Sequence, residues 1–245
     1  MTNAFVSGMT WAELAAGLAR GAVAIMPVGA GAKQHGLHMP MATDQIQAEW
    51  FAGQLAKKID ALIWPALTYG YYPAFTAYPG SVSLTASTFE ALVLEIAEGL
   101  IEFGARRIVI LNSGLSTIAP IDRALCRVTE PSRVRHLRIY DGPRFRDAVA
   151  RVAEQTYGSH ADEIETSIML AIAPGHVDMA KGQDSPPPRS GGPVDGPLSR
   201  TDITSPNYSA SGSFGMPTLA SREKGLILTA AILADLEAAF ATPDT

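Results

Sequence analysis

The residues best suited to chemistry lie in one stretch of this 245-residue chain, from Pro27 to Asp44. The stretch holds Lys33, His35 and His38 among three glycines and ends on the aspartate. Imidazole and carboxylate groups transfer protons near neutral pH and bind divalent metal ions. We therefore predict a functional site here. The simpler alternative is a glycine-rich turn whose histidines bond only to backbone atoms.

The residues on either side predict how this stretch is positioned. The apolar run Val23–Met26 before it is typical of a short buried parallel strand, and a helix is predicted from Thr43. A loop between the carboxyl end of a parallel strand and a helix is the usual ligand position in α/β sheets. A capping box at Ser87 and Glu90 is predicted to open another helix. Further strands are expected at 61–64, 107–111 and 134–140, and helices at 10–20, 43–59, 87–104, 118–128, 143–157, from 162 and at 220–240.

The composition of the whole chain argues against some classes of protein. Hydrophobic residues make up 47% and charged residues 18% of the chain, which is typical of one globular domain with a full core. A net charge of −5 argues against nucleic acid as a partner. The single cysteine, Cys126, fits a reducing cytoplasm, and no apolar run of membrane length appears. We expect a cytoplasmic protein without membrane contact, with a Pro/Gly/Ser-rich loop or lid at about 182–213.

Five segments resemble, in order and spacing, those of the creatininase (creatinine amidohydrolase) family. The first, Gly31–Asp44, is similar to the family pattern GS-x-EQHG-x-HLP-x-x-TD, except that Lys33 stands where the family has an acidic residue. The segment at 159–167 resembles HAGE-x-ETS, and it retains His160 and Glu165 at positions that line the family's active site. The remaining segments are 78–84, 112–117 and 212–225.

The resemblance implies a fold, an assembly and a reaction class. Members of the family are three-layer α/β/α sandwiches with a mainly parallel central sheet, so we expect one such domain over residues 1–245. They are commonly hexamers, which implies a homo-oligomer here. They hydrolyse C–N bonds of cyclic or linear amides, which implies a small-molecule ligand.

The resemblance also implies a metal centre that lacks several of its ligand residues. In the family, two divalent ions share the aspartate that corresponds to Asp44. One ion also binds the residues replaced here by Lys33 and Gly114, and the other binds the counterparts of His35 and Ser116. Two cations need several anionic or imidazole ligands to offset their dehydration. We therefore expect no cofactor, or at most one Zn or Mn ion on His35 and Asp44.

The preferred hypothesis is a divergent enzyme in which Lys33 replaces a catalytic metal. Its ammonium group, buried within reach of Asp44 and Glu165, would act as electrophile or general acid, while His35, His160 or Glu165 acts as base. A fixed positive charge favours a small polar substrate that carries a carboxylate. Two alternatives stay open: a mononuclear metal-dependent amidohydrolase, and an inactive paralogue that binds a ligand or serves as a structural subunit.

Several of these residues have competing interpretations. Lys33 is either the metal substitute or a surface lysine that reaches solvent. His160 is either catalytic or the N-cap of the helix that follows. His38 is expected to bond to backbone, and His136 to lie on the surface. The predicted substrate-binding residues are three hydroxyl residues after the third strand and three aromatics that line a pocket or pack a loop: Ser113, Ser116, Thr117, Tyr72, Phe75 and Tyr78.

Overall fold

The computed structural model describes residues 4–187 and 196–241. Within these residues, four strands form one fully parallel sheet in the order β2-β1-β3-β4. Register is continuous, with Ile25 of β1 opposite Ile63 on one side and Val109 on the other. The strands are β1 Val23–Val28, β2 Ala61–Ile63, β3 Ile108–Asn112 and β4 Val134–Arg138.

Helices cover both faces of this sheet and produce the predicted three-layer α/β/α sandwich. Alternate residues of β1 explain the arrangement, because Ile25 packs against one helical layer and Met26 against the other. The first layer contains α2 Thr43–Leu55, α5 Pro143–Val152, α6 Glu163–Ile172 and α7 Arg222–Ala241. The second contains α1 Trp11–Ala19, α3 Ala86–Glu102 and α4 Ile118–Leu125. Short 3-10 turns lie at Val6–Gly8, Pro73–Phe75, Pro131–Arg133, Pro174–His176, Met179–Lys181 and Pro217–Leu219.

Two helix boundaries differ from the predictions for identifiable reasons. The α3 helix begins before the expected capping box, because the Thr85 hydroxyl accepts from the amide of Thr88 and caps the helix there. The α5 helix ends at Val152 instead of continuing to 157. The Ala153 amide still donates to the Val149 carbonyl, but the two amides after it, of Glu154 and Gln155, donate to the carboxylate of Glu163. That side chain therefore takes the donors that would extend the helix.

The edge strand β4 carries one residue whose placement was predicted wrongly. As expected from its alternating arginines, β4 lies at the sheet edge, and its residues are half-buried. The His136 side chain, however, is only 6% exposed, because α4 lies beside this strand. Its Nδ1 atom is 2.7 Å from the Asp122 carboxylate of α4.

The predicted loop or lid falls partly outside the described residues. Its positions 188–195 are not described, while residues 182–187 and 196–213 run without a helix or strand. Ser209 and Ser213 are fully buried, and Leu198 packs in a small cluster with Tyr72 and Phe75. Whether this segment opens as a lid stays a prediction. No helix in the described part of the chain is long and apolar enough to cross a membrane.

Candidate active site

The site forms where β1 ends and α2 begins. Asp44 is the second residue of α2, and its backbone crosses close to the loop at Gly29. A Cβ atom at Gly29 would lie 2.3 Å from the Asp44 carbonyl oxygen, so only glycine permits this approach. Ser113, just after β3, donates its hydroxyl proton toward the Asp44 carbonyl at 2.8 Å. The end of β3 therefore helps to position the start of α2.

Asp44 is the charged centre of the site, and each of its oxygens already has a partner. The Lys33 ammonium lies 2.6 Å from Oδ2, and His35 Nε2 lies 2.9 Å from Oδ1. Burial alone would raise the pKa of Asp44, but the charges of Lys33 and His35 outweigh it and hold that pKa well below its usual value. Lys33 itself is 7% exposed, which rules out the solvent-facing alternative. Glu165 is not within ion-pair distance of Lys33.

Two contacts hold the ring of His35 in place. Nδ1 lies 2.9 Å from the Lys33 carbonyl oxygen, and Nε2 lies 2.9 Å from the Asp44 carboxylate. His35 and Lys33 therefore lie against the two oxygens of one carboxylate.

His160 lies beside His35, with the two ring centroids 4.8 Å apart. Its Nε2 atom donates to the Gln34 carbonyl at 2.9 Å, and its Nδ1 atom lies 3.7 Å from Glu165. Burial, then the charges of His35 and Lys33, lower the pKa of His160 well below its usual value. The ring is therefore neutral, and the lone pair on Nδ1 can accept a proton.

The residues after His160 hold Glu165 in place. Ala161 has a left-handed backbone with φ 47°, the only such non-glycine among the described residues. This conformation lets the Ala161 amide donate to Glu165 at 2.7 Å. Asp162 caps α6 through the amides of Ile164 and Glu165. The N-cap alternative for His160 is therefore wrong, because Asp162 has that role.

His38 lies further from this group than its neighbours in the loop. Its Nε2 atom is 2.8 Å from the hydroxyl of Thr166, so the predicted bond to backbone is replaced by a bond to a side chain. Burial, then the charge of His35, lower the pKa of His38 to about 4. His38 is thus a neutral histidine that connects the loop to α6.

One group of side chains has the composition of a single metal site. The ligand atoms of His35, His160 and Glu165 lie within 4.8 Å of one another. Two histidines and a carboxylate are a common set for one catalytic zinc ion. Both histidines also donate their other ring proton to a backbone carbonyl, as metal-binding histidines usually do. These residues fit one ion, once Nε2 of His35 has lost its proton.

The same geometry does not fit two ions that share Asp44. Lys33 and His35 already bond to its two oxygens, and the ligand positions at 114 and 116 are glycine and serine. The predicted one-ion set of His35 and Asp44 also differs from the group that the structure assembles. Asp44 pairs with Lys33, whereas Glu165 and His160 complete the histidine set.

Next to these groups lies a pocket of about 270 Å³. Its polar side is formed by Lys33, Asp44, His160 and Glu165. The remaining lining residues come from the 3-10 turn Pro73–Phe75, the loop after β3, the segment before α5, α5 itself, and the segment from 155 into the first turn of α6: Phe75, Ser113, Leu115, Ser116, Tyr140, Phe145, Val149, Gln155, Gly158, Ser159, Asp162 and Ile164.

The hydroxyl residues after β3 are not equivalent. The proton of Ser113 is directed at the carbonyls of Val28 and Asp44, and that of Thr117 at Asn112 and the Gly114 carbonyl. Both side chains thus hold the loop together. Ser116 makes no side-chain hydrogen bond within the described residues and lines the pocket. It is the hydroxyl of the three with hydrogen-bonding capacity left for a ligand.

The predicted aromatic residues also divide into two groups. Phe75 lines the pocket, with its ring centroid 4.8 Å from the Lys33 ammonium and 4.3 Å from the His160 ring. Tyr78 instead donates its hydroxyl to the Ser209 carbonyl at 2.6 Å and packs the 196–213 segment. Tyr72 is buried in the same cluster and borders a smaller cavity on the other side of Lys33.

The prediction missed the apolar part of the pocket lining. Leu115, Phe145, Val149 and Ile164 make up this part, which we call the apolar wall. Phe145 and Val149 are four residues apart and share one face of α5, and this apolar spacing can be recognised in the sequence. That signal equally describes a helix packed on the sheet, so it does not by itself distinguish a binding wall from core.

A buried parallel sheet with a charged site at its carboxyl end defines an α/β enzyme. The family model for creatinine amidohydrolase (Creatininase) matches residues 7–240, and the chain belongs to this amidohydrolase family. It is 32% identical to the creatinine amidohydrolase of Pseudomonas putida over 92% of both chains. It also superimposes on a creatininase crystal structure with a TM-score of 0.84, and on a manganese creatininase with 0.83. Both are 28% identical to it, and each match covers 98% of both chains.

Proposed function

We propose that this protein hydrolyses a C–N bond in a small amide and that Lys33 occupies the place of one catalytic metal ion. The observation that carries this proposal is the pairing of both Asp44 oxygens. They contact Lys33 at 2.6 Å and His35 at 2.9 Å, so two ions bridged by Asp44 would lie against the Lys33 ammonium and the His35 ring. Lysine supplies one fixed charge and three donors, which can stabilise an oxyanion in a buried site.

The residues of the pocket can perform the hydrolysis in two proton transfers. His160 Nδ1 accepts a proton from a water molecule as the water oxygen bonds to the amide carbon. Lys33 donates a hydrogen bond to the oxygen that becomes negative, while Glu165 stabilises the charged ring of His160. The C–N bond then breaks as His160 returns the proton to the departing nitrogen. The products are a carboxylic acid and an amine.

The carboxylate preference of the substrate is a separate part of the proposal. Lys33 makes one ion pair within the described residues, with Asp44, and its side chain lines the pocket of about 270 Å³, which leaves protons for a ligand. A substrate carboxylate can accept from those protons. Propanoate and propanamide have nearly the same shape, so their relative inhibition tests this preference. Tighter inhibition by propanamide would contradict it.

A second candidate function is a mononuclear metal hydrolase. It is favoured by the close approach of His35, His160 and Glu165, whose ligand atoms lie within 4.8 Å. A divalent ion held by these residues would polarise the amide carbonyl and acidify a water molecule. In that case Lys33 still neutralises Asp44, and Nε2 of His35 loses its proton.

Elemental analysis distinguishes these candidates. The protein is purified without added metal, loaded with Zn or Mn, and assayed with a panel of small amides before and after chelation. Metal-independent turnover supports the first candidate. One ion per chain, lost together with turnover in His160→Ala, supports the second. Two ions per chain would contradict both, and no turnover with any amide would favour the inactive paralogue.

The assembly and location of the protein remain part of the proposal. We expect a homo-oligomer, with a hexamer as the first expectation from the family, in the cytoplasm. Light scattering coupled to size exclusion measures the assembly directly.

A further inference from the structure

The pocket is lined by two chemically different sets of residues. Lys33 and Glu165 belong to the charged set, where the proposed reaction occurs. The apolar wall, formed by Leu115, Phe145, Val149 and Ile164, contributes hydrocarbon only. A substrate made of polar groups alone would leave this wall facing water.

The wall is built from three separate elements, so its composition is not a property of one helix. Phe145 and Val149 come from consecutive turns of α5, and Ile164 from the first turn of α6. Leu115 follows β3 and remains 57% exposed, although it belongs to a loop next to the reactive groups. An exposed leucine at the edge of a pocket gains most when a ligand covers it.

We propose that the substrate carries a short branched alkyl or single aromatic group, which packs against this apolar wall while its amide faces Lys33 and His160. This inference rests on the proposed amide hydrolysis and names the class of substrate within it. The pocket of about 270 Å³ admits one such group beside the reacting amide. The side chain of a hydrophobic amino acid, attached next to an amide, has the required form.

A matched ligand series tests the inference. N-acetylglycine, N-acetylalanine, N-acetylvaline and N-acetylleucine differ only in their hydrocarbon, and each has a primary amide counterpart. Binding is measured for both series by isothermal titration or NMR. We expect affinity to rise about fourfold for each buried methylene, in both series. The difference between acids and amides reports the carboxylate preference separately.

Two variants and two control variants test whether the gain in affinity comes from contact with the apolar wall. Leu115→Ser and Val149→Thr should reduce the gain from glycine to leucine by about fourfold or more. Leu226→Ser, at another exposed leucine, and Val152→Thr, on the same helix outside the pocket, should leave it unchanged. Thermal melting of all four variants checks folding.

Each result has a distinct meaning. Affinity that does not depend on the side chain, while the ligands still bind, overturns the inference and leaves the amide hydrolysis intact. A gain that survives Leu115→Ser and Val149→Thr also overturns it, because the hydrocarbon then lies elsewhere. A gain in the amides as well as the acids supports the wall even where the carboxylate preference fails.

Discussion

Two lysines that pair with carboxylates in this protein differ in how completely they are bonded. Lys224 donates to the carboxylates of Glu154 and Glu163 and to the Leu219 carbonyl, which uses all three of its protons. Lys33 has one ion-pair partner among the described residues, Asp44, and its side chain lines the pocket. Lys224 has no hydrogen-bonding capacity left for a ligand, and Lys33 does.

The acidic partners differ in the kinds of donor that they accept from. Glu163 is fully buried, accepts from the amides of Glu154 and Gln155, and connects the end of α5 to the starts of α6 and α7. Asp44 accepts from two side chains that both line or adjoin the pocket. A saturated ion pair of this kind stabilises helix positions, whereas an unsaturated one retains donors for a substrate. The two lysines therefore predict opposite consequences for substitution.

The largest expected effect is on turnover in Lys33→Met. Removing a donor to the oxyanion should lower kcat by a factor of about 100 to 1,000. This substitution also removes the cation from the buried Asp44 carboxylate, which keeps His35 as a partner, so kcat is expressed per folded molecule. The measurement is kcat for the best amide of the panel, together with the melting temperature. Lys57→Met, at an exposed lysine, is the control, and a change within twofold for both variants would refute the assignment.

Lys224→Met should act on stability instead. It leaves Glu163 buried without its cation, which costs about 3 to 5 kcal/mol of unfolding free energy. Urea unfolding measures this loss, and kcat per folded molecule at low temperature should stay unchanged. Adding Glu163→Gln should restore part of the stability, since the uncompensated charge is then absent. A normal urea midpoint together with a reduced kcat in Lys224→Met would contradict this prediction, because Lys224 would then act on turnover and not on stability.

The parts of this site that follow from local sequence were predictable. The strand before Pro27 and the helix from Thr43 form as expected, because an apolar run and a helix start are encoded within a few residues. That arrangement brings His35 to Asp44, only nine positions away. His160 and Glu165 are more than a hundred residues further along the chain. No repeating pattern of residue types in the sequence therefore indicates that they lie beside His35 and Asp44. Only the family resemblance pointed to them.

Other features depend on which of several possible hydrogen-bond partners a group binds, and a sequence pattern does not determine that choice. Thr85 and Ser87 can both cap a helix, and the structure selects Thr85. Glu163 ends α5 by binding amides that a propensity argument assigns to the helix. The neutral state of His160 depends on its burial and on its contacts with His35 and the Gln34 carbonyl. Those contacts exist only after the fold has formed.

The smallest predicted effect compares two adjacent carboxyl groups at the start of α6. Glu163 is bonded to a cation and two amides, whereas the nearest partners of Asp162 are neutral: Gln155 and the first amides of the helix. Burial, the largest cause, raises the pKa of Asp162 from 3.8 to about 6. The folded protein therefore holds this proton to a higher pH than the unfolded chain does.

This difference makes a contribution to stability that is present below pH 3.8 and is lost as the pH rises to about 6. It amounts to about 3 kcal/mol for a shift of about two units. Asp162→Asn keeps the helix cap but cannot titrate, so the difference in unfolding free energy between variant and wild type should change over this pH range and stay constant above it. Glu163→Gln is the adjacent control. A difference that is flat across pH 4 to 6 would show that Asp162 ionises normally, and that burial at the pocket does not distinguish it from its bonded neighbour.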